Sequence, residues 1–165
     1  EDEVKELCRE ALESQGGFCQ IANRLFPCGI AVAGSASAVD NFKAKAKEAG
    51  AQKVSELKGC NAGFHTELMR PAEMPLKKHL LELMKKDALR SPDITVYSSQ
   101  TGERWLPGTP PMAIADGLVR GLTMMNQWED TCRAMIDDGV EYLWEVGPMK
   151  QLKGMMRHID YTQWK

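Results

Sequence analysis

No run of apolar residues in this 165-residue chain approaches the roughly 20 needed to cross a bilayer as a helix. No stretch has the charged, apolar and small-residue order of a secretory signal. Charge of one sign is also lacking. The 21 basic and 23 acidic side chains leave a formal charge of -2, and no arginine-rich stripe is interleaved with aromatics. Nothing therefore steers the chain toward nucleic acid or an anionic membrane. The five cysteines, Cys8, Cys19, Cys28, Cys60 and Cys132, are odd in number and contain no CxxC pair. That argues against a disulfide framework and predicts buried thiols in a reducing compartment. His65, His79 and His158 lie far apart with no ligand-like neighbours, so no metal site is expected. Phosphate-binding GxxxxGK(S/T) and GxGxxG loops are absent. So is the GxSxG elbow, which removes the obvious nucleophile that a histidine base would serve.

What is present is enough apolar residue, 43%, for a compact domain with a real core. Val4, Leu7, Cys8, Ala11 and Leu12 recur at helical spacing, with acidic residues leading and Gly16 and Gly17 stopping the helix. "FCQIAN" and "IAVAG" read as strands about a turn at Pro27, Cys28 and Gly29. "SASAVDNFKAKAKEAG" reads as a helix capped by Ser35 or Ser37, and "AQKVSELK" as a strand around Val54 and Leu57. Residues 1–58 thus have the order α-β-β-α-β. That is a split βαβ sandwich without its first strand. The missing strand is expected upstream of Glu1, because the sheet would otherwise keep an unpaired apolar edge.

Beyond residue 59, "PAEMPLKKHLLELMKKDAL" is a helix with early prolines. "ITVYSS" is a strand, 100–111 a Pro/Gly-rich loop, and "MAIADGLVRGLT" a helix weakened by Gly117 and Gly121. Asn126, with Glu129 at the capping-box position, opens a further helix. "VEYLWEVG" reads as a buried strand and "PMKQLKGMMRHI" as the last helix. Alternating helices and strands predict crossovers over a mostly parallel sheet. Two strands do not complete such a sheet, so this part also reads as a piece of a larger one.

His65 is the one candidate base. It sits between Gly63-Phe64 and a helix, in the kind of loop where α/β sheets bind ligands. Its ordinary titration range suits general acid–base work. The commoner reading of such a residue is a partly exposed ring that satisfies local backbone groups. "EVGPMKQLKG" places a helix start near a sheet edge, where an anion can bind. A tight strand-to-helix turn is the commoner reading there too.

Taken together, four stretches resemble the malonyl-CoA:acyl carrier protein transacylase family and related polyketide acyltransferase domains. "AGFHTELMRPA" is similar to the segment around the family's catalytic histidine. "EVGPMKQLKGMMRHID" is similar to its last strand, turn and helix. "ANRLFPCGIAVAG" resembles its asparagine-proline-strand segment, and "VRGLTMMNQWEDTCRAMIDDGV" the helix, loop and tryptophan before the final strand. The order matches over nearly the whole chain.

The resemblance implies an α/β fold: part of an α/β-hydrolase-like acyltransferase core, residues 59–165, carrying an incomplete ferredoxin-like subdomain, residues 1–58. It implies malonyl transfer from coenzyme A, as substrate malonyl-CoA, to the phosphopantetheine thiol of acyl carrier protein, with no bound cofactor. His65 takes the catalytic position. A backbone carbonyl from the loop Thr123, Met124, Met125, Asn126 and Gln127, before Trp128, is expected to orient it. Asn23 and Phe64 are expected in the pocket. A bulky Phe64 leans toward malonyl over branched substrates, since one methyl is worth about 1–3 kcal/mol in an apolar site. The family's serine, its glutamine-bearing oxyanion loop and its malonate-binding arginine lie upstream of any position in this chain. The chain alone is therefore expected to be inactive. Leu25, Cys28, Gly29 and Met149 depart from the family pattern.

Two other readings stand beside this one. One is a non-catalytic structural subunit derived from a transacylase and docked on a larger assembly. The other is a free-standing ferredoxin-like binder whose residues 1–58 fold alone. The family's setting implies a bacterial cytoplasm or an organelle, plastid or mitochondrion.

Overall fold

Amphipathic periodicity places the first helix where the sequence predicts it. The structure, a computed structural model, describes residues 1–13, 16–57, 59–60 and 62–164. Lys58, at the end of the expected strand and first domain, lies outside them, as do Ser14, Gln15, Asn61 and Lys165. Helix α1 spans Asp2–Glu13. It packs on an antiparallel hairpin of β1 (Cys19–Phe26) and β2 (Gly29–Gly34), in register Cys19↔Gly34 and Ile21↔Val32. Cys28 takes the left-handed turn position with φ 64°. At Gly34 a Cβ would lie 2.0 Å from the Phe18 carbonyl oxygen, so only glycine fits where the chain returns.

Helix α2 (Ala36–Glu48) follows at once. Ser35 stands at its N-cap with extended geometry but makes no cap bond. Its hydroxyl instead accepts from the Phe18 N–H at 3.2 Å, holding the entry to β1. Helices α1 and α2 are joined by Lys45 to Glu10 at 2.9 Å. Between helices and hairpin lie Cys8, Cys19, Ile21 and Ala38, flanked by Val4, Leu12, Ile30, Val32 and Phe42. Burying a side chain such as Ile21 contributes about 2 kcal/mol from apolar area alone.

Two expected strands do not form. Residues 51–57 join no ladder, and Leu57 is exposed. Residues 140–147 were expected to be a buried strand; they join no ladder either, and Tyr142, Trp144 and Val146 lie open to solvent. The physical reason is shared. A strand is defined by the neighbour that accepts its backbone hydrogen bonds, and among the described residues neither segment meets one.

The predicted 94–99 strand shortens to β3 (Val96–Tyr97), antiparallel to β4 (Arg104–Trp105) inside the stretch expected to be loop. Gly102, φ 68°, makes the turn between them, its N–H donating to the Ser98 carbonyl at 2.8 Å.

The proline-marked helix resolves into a 3-10 segment, Glu67–Ala72, that contains Pro71, followed by α3 (Glu73–Lys85). Helix α3 lies against α4 (Pro111–Arg120). Lys77 meets Asp116 between them at 3.0 Å. At Gly117 of α4 a Cβ would lie 2.8 Å from the Trp105 ring. Asn126, expected as a cap, instead begins β5 (Asn126–Gln127), which pairs parallel with β1 as Asn23↔Asn126 and Arg24↔Gln127. Gln127 precedes α5 (Trp128–Asp137), again without a side-chain cap bond.

The mostly parallel sheet expected after residue 59 is therefore absent among the described residues. Their strands form a three-stranded sheet ordered β2-β1-β5 and the two-stranded β3-β4. Helices α6 (Gln151–Ile159) and α7 (Tyr161–Trp164) complete the chain. Cys132, Met156 and Ile159 form a second core with Phe26, Trp128, Met135, Ile136 and Trp164. The fold is mixed α/β, and β1 is touched from both sides, by α1 and by α5 and α6.

Candidate active site

The segment that carries His65 is a tight turn locked from within. Thr66 is fully buried, and its hydroxyl donates to the Gly63 carbonyl at 2.6 Å. The Met69 N–H returns to the Thr66 carbonyl at 3.0 Å. This folding drives His65 into the left-handed region, φ 62°. For a residue with a Cβ that conformation costs about 1–2 kcal/mol, so the surrounding bonds must over-determine it.

One bond fixes the ring. His65 Nδ1 lies 2.8 Å from the Gly121 carbonyl oxygen. A carbonyl only accepts, so Nδ1 carries the hydrogen and donates it. In the neutral imidazole Nε2 then keeps its lone pair and can accept a proton. Gly121 is buried and sits just past the end of α4. Its carbonyl is among the last four of the helix, which have no donor within the helix and carry the negative end of its dipole.

Further contacts hold the two parts in place. The Glu67 N–H donates to Gln20 Oε1 of β1 at 3.2 Å. The Thr123 hydroxyl donates to Glu73 Oε1 at 2.8 Å, tying the loop after α4 to the start of α3. The histidine turn is thereby fastened both to the small sheet and to the α3–α4 pair.

The expected orienting carbonyl was placed in the loop Thr123–Gln127; the observed one belongs to Gly121, two residues earlier. Thr123 makes the Glu73 contact. Met124 is exposed, and Met125 packs on the first core. Asn126 donates to Ser99 Oγ at 3.4 Å, and the Gln127 N–H to the Ser99 carbonyl at 2.8 Å. Asn23 stands beside Asn126 in the sheet. Phe64 is half exposed next to His65. Gly121, Gln20 and Glu73 escaped sequence reading. For Gly121 a signal existed, since a glycine closing "GLVRG" marks a helix end with exposed carbonyls.

Among the described residues no serine or cysteine is hydrogen-bonded to His65. Ser98 Oγ donates to Gln100, and Ser99 Oγ accepts from Gln100 and Asn126. His158 stacks on Phe26 at 4.8 Å. No group of three metal-ligating side chains occurs among the described residues. The possible anion site at the start of α6 is filled by the protein itself. Glu145 accepts from the Leu152 and Lys153 N–H groups, each at 3.0 Å, and its carboxyl is held below the usual glutamate range by those bonds.

Beside β5 lies a charged cluster. Buried Glu129 receives Arg133 at 2.7 Å and faces Arg24 at 3.4 Å, while Arg24 reaches Asp130 at 3.3 Å. Two clefts flank β1. One of about 460 Å³ runs along α1, Gln20, Ile21 and Met125, and one of about 250 Å³ lies by Arg24, Phe26 and Glu129. Neither includes His65, so the ring's Nε2 side is not enclosed by either.

No family profile matches the chain. The malonyl CoA-acyl carrier protein transacylase of Bacillus subtilis (strain 168) is 30% identical over 151 residues, covering 92% of this chain and 45% of that protein. The crystal structure of an acyl-carrier-protein S-malonyltransferase from Burkholderia pseudomallei 1710b superposes with a TM-score of 0.85 at 28% identity, over 99% of this chain and 50% of that one. A malonyl-transacylase solved in complex with its type II PKS acyl-carrier protein gives 0.85 at 26% identity, over 98% and 49%. The chain spans about half the length of the relatives it matches. Over nearly all of its own length, then, this chain is similar to malonyl-CoA–acyl carrier protein transacylases.

Proposed function

We propose that this chain supplies the histidine-bearing part of a malonyl-CoA–acyl carrier protein transacylase, whose attacking serine lies on polypeptide outside residues 1–165. The observation that carries this is the Nδ1 bond of His65 to the Gly121 carbonyl. It fixes the tautomer that a general base requires. The serine hydroxyl attacks the malonyl thioester as its proton passes to His65 Nε2. Collapse of the adduct expels the coenzyme A sulfur, which takes that proton. The phosphopantetheine thiol of acyl carrier protein then gives its proton to Nε2 and attacks the ester. The serine leaves with that proton. During each transfer the Gly121 carbonyl keeps its hydrogen bond to the imidazolium, where the charge strengthens it.

Acyl carrier protein as partner is supported by the relative solved with its own carrier. Phe64 beside His65 favours malonyl over branched acyl groups by filling space that a methyl would need. Residues 1–58 read as a ferredoxin-like subdomain lacking its first strand, and 59–165 as part of an α/β-hydrolase-like core. Two facts support that division. Segment 51–57 has the alternation of a strand, and 140–146 is an apolar-rich run; neither joins a ladder among the described residues. Both find partners if the remaining strands come from the serine-bearing polypeptide. The bacterial source of the Bacillus subtilis relative favours a bacterial cytoplasm over a plastid or mitochondrion. No described helix is long and apolar enough to cross a membrane.

The test is malonyl transfer from malonyl-CoA to holo acyl carrier protein by this chain together with the serine-bearing segment. His65→Ala is expected to lower kcat by about three orders of magnitude or more. Undiminished transfer rejects the role given to His65. Absence of transfer by the intact pair, with a large partner copurifying in stoichiometric amount, instead supports a structural subunit that covers the exposed 140–146 strip.

A further inference from the structure

Gly121, whose carbonyl holds His65, has an ordinary helical backbone, φ -60° and ψ -17°. Any residue can adopt that conformation, so backbone freedom does not require a glycine there. Space does. A Cβ at Gly121 would lie 2.8 Å from both Cγ and Cδ of Gln100 and 3.1 Å from its Nε2. The Gln100 side chain therefore occupies the place where a side chain of residue 121 would stand, beside the carbonyl that accepts from His65. Gln100 is itself fixed at both ends of its amide. Ser98 Oγ donates to its Oε1 at 3.0 Å, and its Nε2 donates to Ser99 Oγ at 3.1 Å. The turn that carries these residues, between β3 and β4, is anchored in turn. The buried Thr131 hydroxyl of α5 donates to the Ser98 carbonyl at 3.1 Å, and the Gln127 N–H of β5 to the Ser99 carbonyl at 2.8 Å.

We propose that Gln100 is a positioning residue for the base: its amide fills the space beside Gly121 and so sets where the carbonyl that orients His65 stands. The proposal rests on the role given to His65. Gln100 touches no reacting atom and acts only through the Gly121 peptide. A planar amide bonded at both ends is a rigid block, and a block against the helix end fixes the acceptor relative to Nδ1. The placement matters because a catalytic group displaced by about 1 Å can lose about a hundredfold in rate.

The fit is reciprocal, so it can be exchanged. Gly121→Ala drives a methyl into the Gln100 side chain and pushes the helix end away from its place. Gln100→Ala removes the block and leaves the helix end unsupported. In the double variant Q100A/G121A the methyl enters the space that the amide vacates, and the carbonyl returns toward His65. Non-additivity of that kind marks two residues in contact.

The experiment uses the folded polypeptide that contains this chain, labelled with 15N at histidine. Exchange of the His65 Nδ1 proton is expected to be about tenfold faster in Gly121→Ala and in Gln100→Ala, and to return to within about twofold of the parent in the double variant. With the serine-bearing segment present, kcat and kcat/KM for malonyl transfer are expected to fall together by about tenfold in each single variant and to recover in the double one. Urea unfolding of every variant separates positioning from packing. The proposal is overturned if Gln100→Ala lowers the unfolding midpoint while the His65 proton and kcat keep their parental values. It is overturned equally if the double variant shows the two single effects added together. Should Gly121→Ala not fold, the comparison of Gln100→Ala with the double variant decides the same question. The expected exchange rates without any transfer by the parent reject the transacylase reading and leave the placement of His65 by Gln100 standing.

Discussion

The hairpin β1–β2 and the segment 140–146 are both apolar runs with strand-like composition, and they meet opposite fates. Ile21 is 5% exposed; Val146 is 97% exposed. Intrinsic preference does not separate them, since valine, tyrosine and tryptophan favour strands as strongly as isoleucine does. The difference is the neighbour. Ile21 faces Val32 across an antiparallel ladder and is covered by α1 and α2. Val140 is held to the end of α5 by its N–H on the Met135 carbonyl at 3.0 Å; beyond it the run joins no ladder among the described residues. Hydrophobic sequence states that a segment must be buried but not against what.

The contrast can be broken most forcefully at Ile21. Ile21→Ala is expected to cost about 2–5 kcal/mol, through lost transfer energy and a residual cavity. Urea unfolding of this chain measures it. A cost equal to that at Val146 removes the distinction between the regions. Next in size is Gly117→Ala, whose added methyl meets the Trp105 ring at 2.8 Å. Such overpacking costs about 1–3 kcal/mol, and a neutral result in the same assay shows that Trp105 yields. Val146→Ala in this chain alone is expected to stay within about 0.5 kcal/mol, as at any solvent-facing site. The same substitution made in the presence of the serine-bearing segment is expected to cost more, because the side chain is then covered; equal costs in both settings refute the unpaired-strand reading.

The smallest effect is electrostatic. Arg104 and Tyr97 donate to Asp138, joining the β3–β4 hairpin to the end of α5, and hold the Asp138 carboxyl below its ordinary value of 3.8. A depressed acid adds stability that is present above its unfolded value and lost as pH falls through the folded one. Opening of the hairpin, read as hydrogen exchange corrected for the intrinsic rate at each pH, is therefore expected to be flat between neutrality and mild acid, then to rise below pH 3.8. Asp138→Asn should abolish that acid-dependent rise. A rise that persists in the variant assigns it to another group.

Legibility followed the same division. Helices α1 and α2 and the first hairpin were readable because everything that specifies them is local: periodicity, a Gly16-Gly17 stop, a Pro27-Cys28 turn. The strands expected over 51–57 and 140–147 join no ladder among the described residues, because alternation records a face and not a partner. β4 went unseen because Arg104 and Trp105 lie among prolines and glycines, and only pairing with β3 makes them a strand. Asn126 was read as a cap from its spacing to Glu129, yet pairing with β1 claims it. At the site, His65 was legible as a candidate from its position before a helix, while the carbonyl that orients it was not. Gly121 was counted as a weak interior helix residue when it closes the helix. The contact of Gln20 with Glu67 crosses 47 residues of sequence and leaves no local signature.

The account rests on the proton at His65 Nδ1. Long-range 1H–15N correlation on this chain, selectively labelled at histidine, reads the tautomer directly. The bond to Gly121 predicts that the neutral ring is a single Nδ1–H form whose proton exchanges slowly, with Nε2 bearing none. An Nε2–H form, or a rapid average of the two, contradicts it.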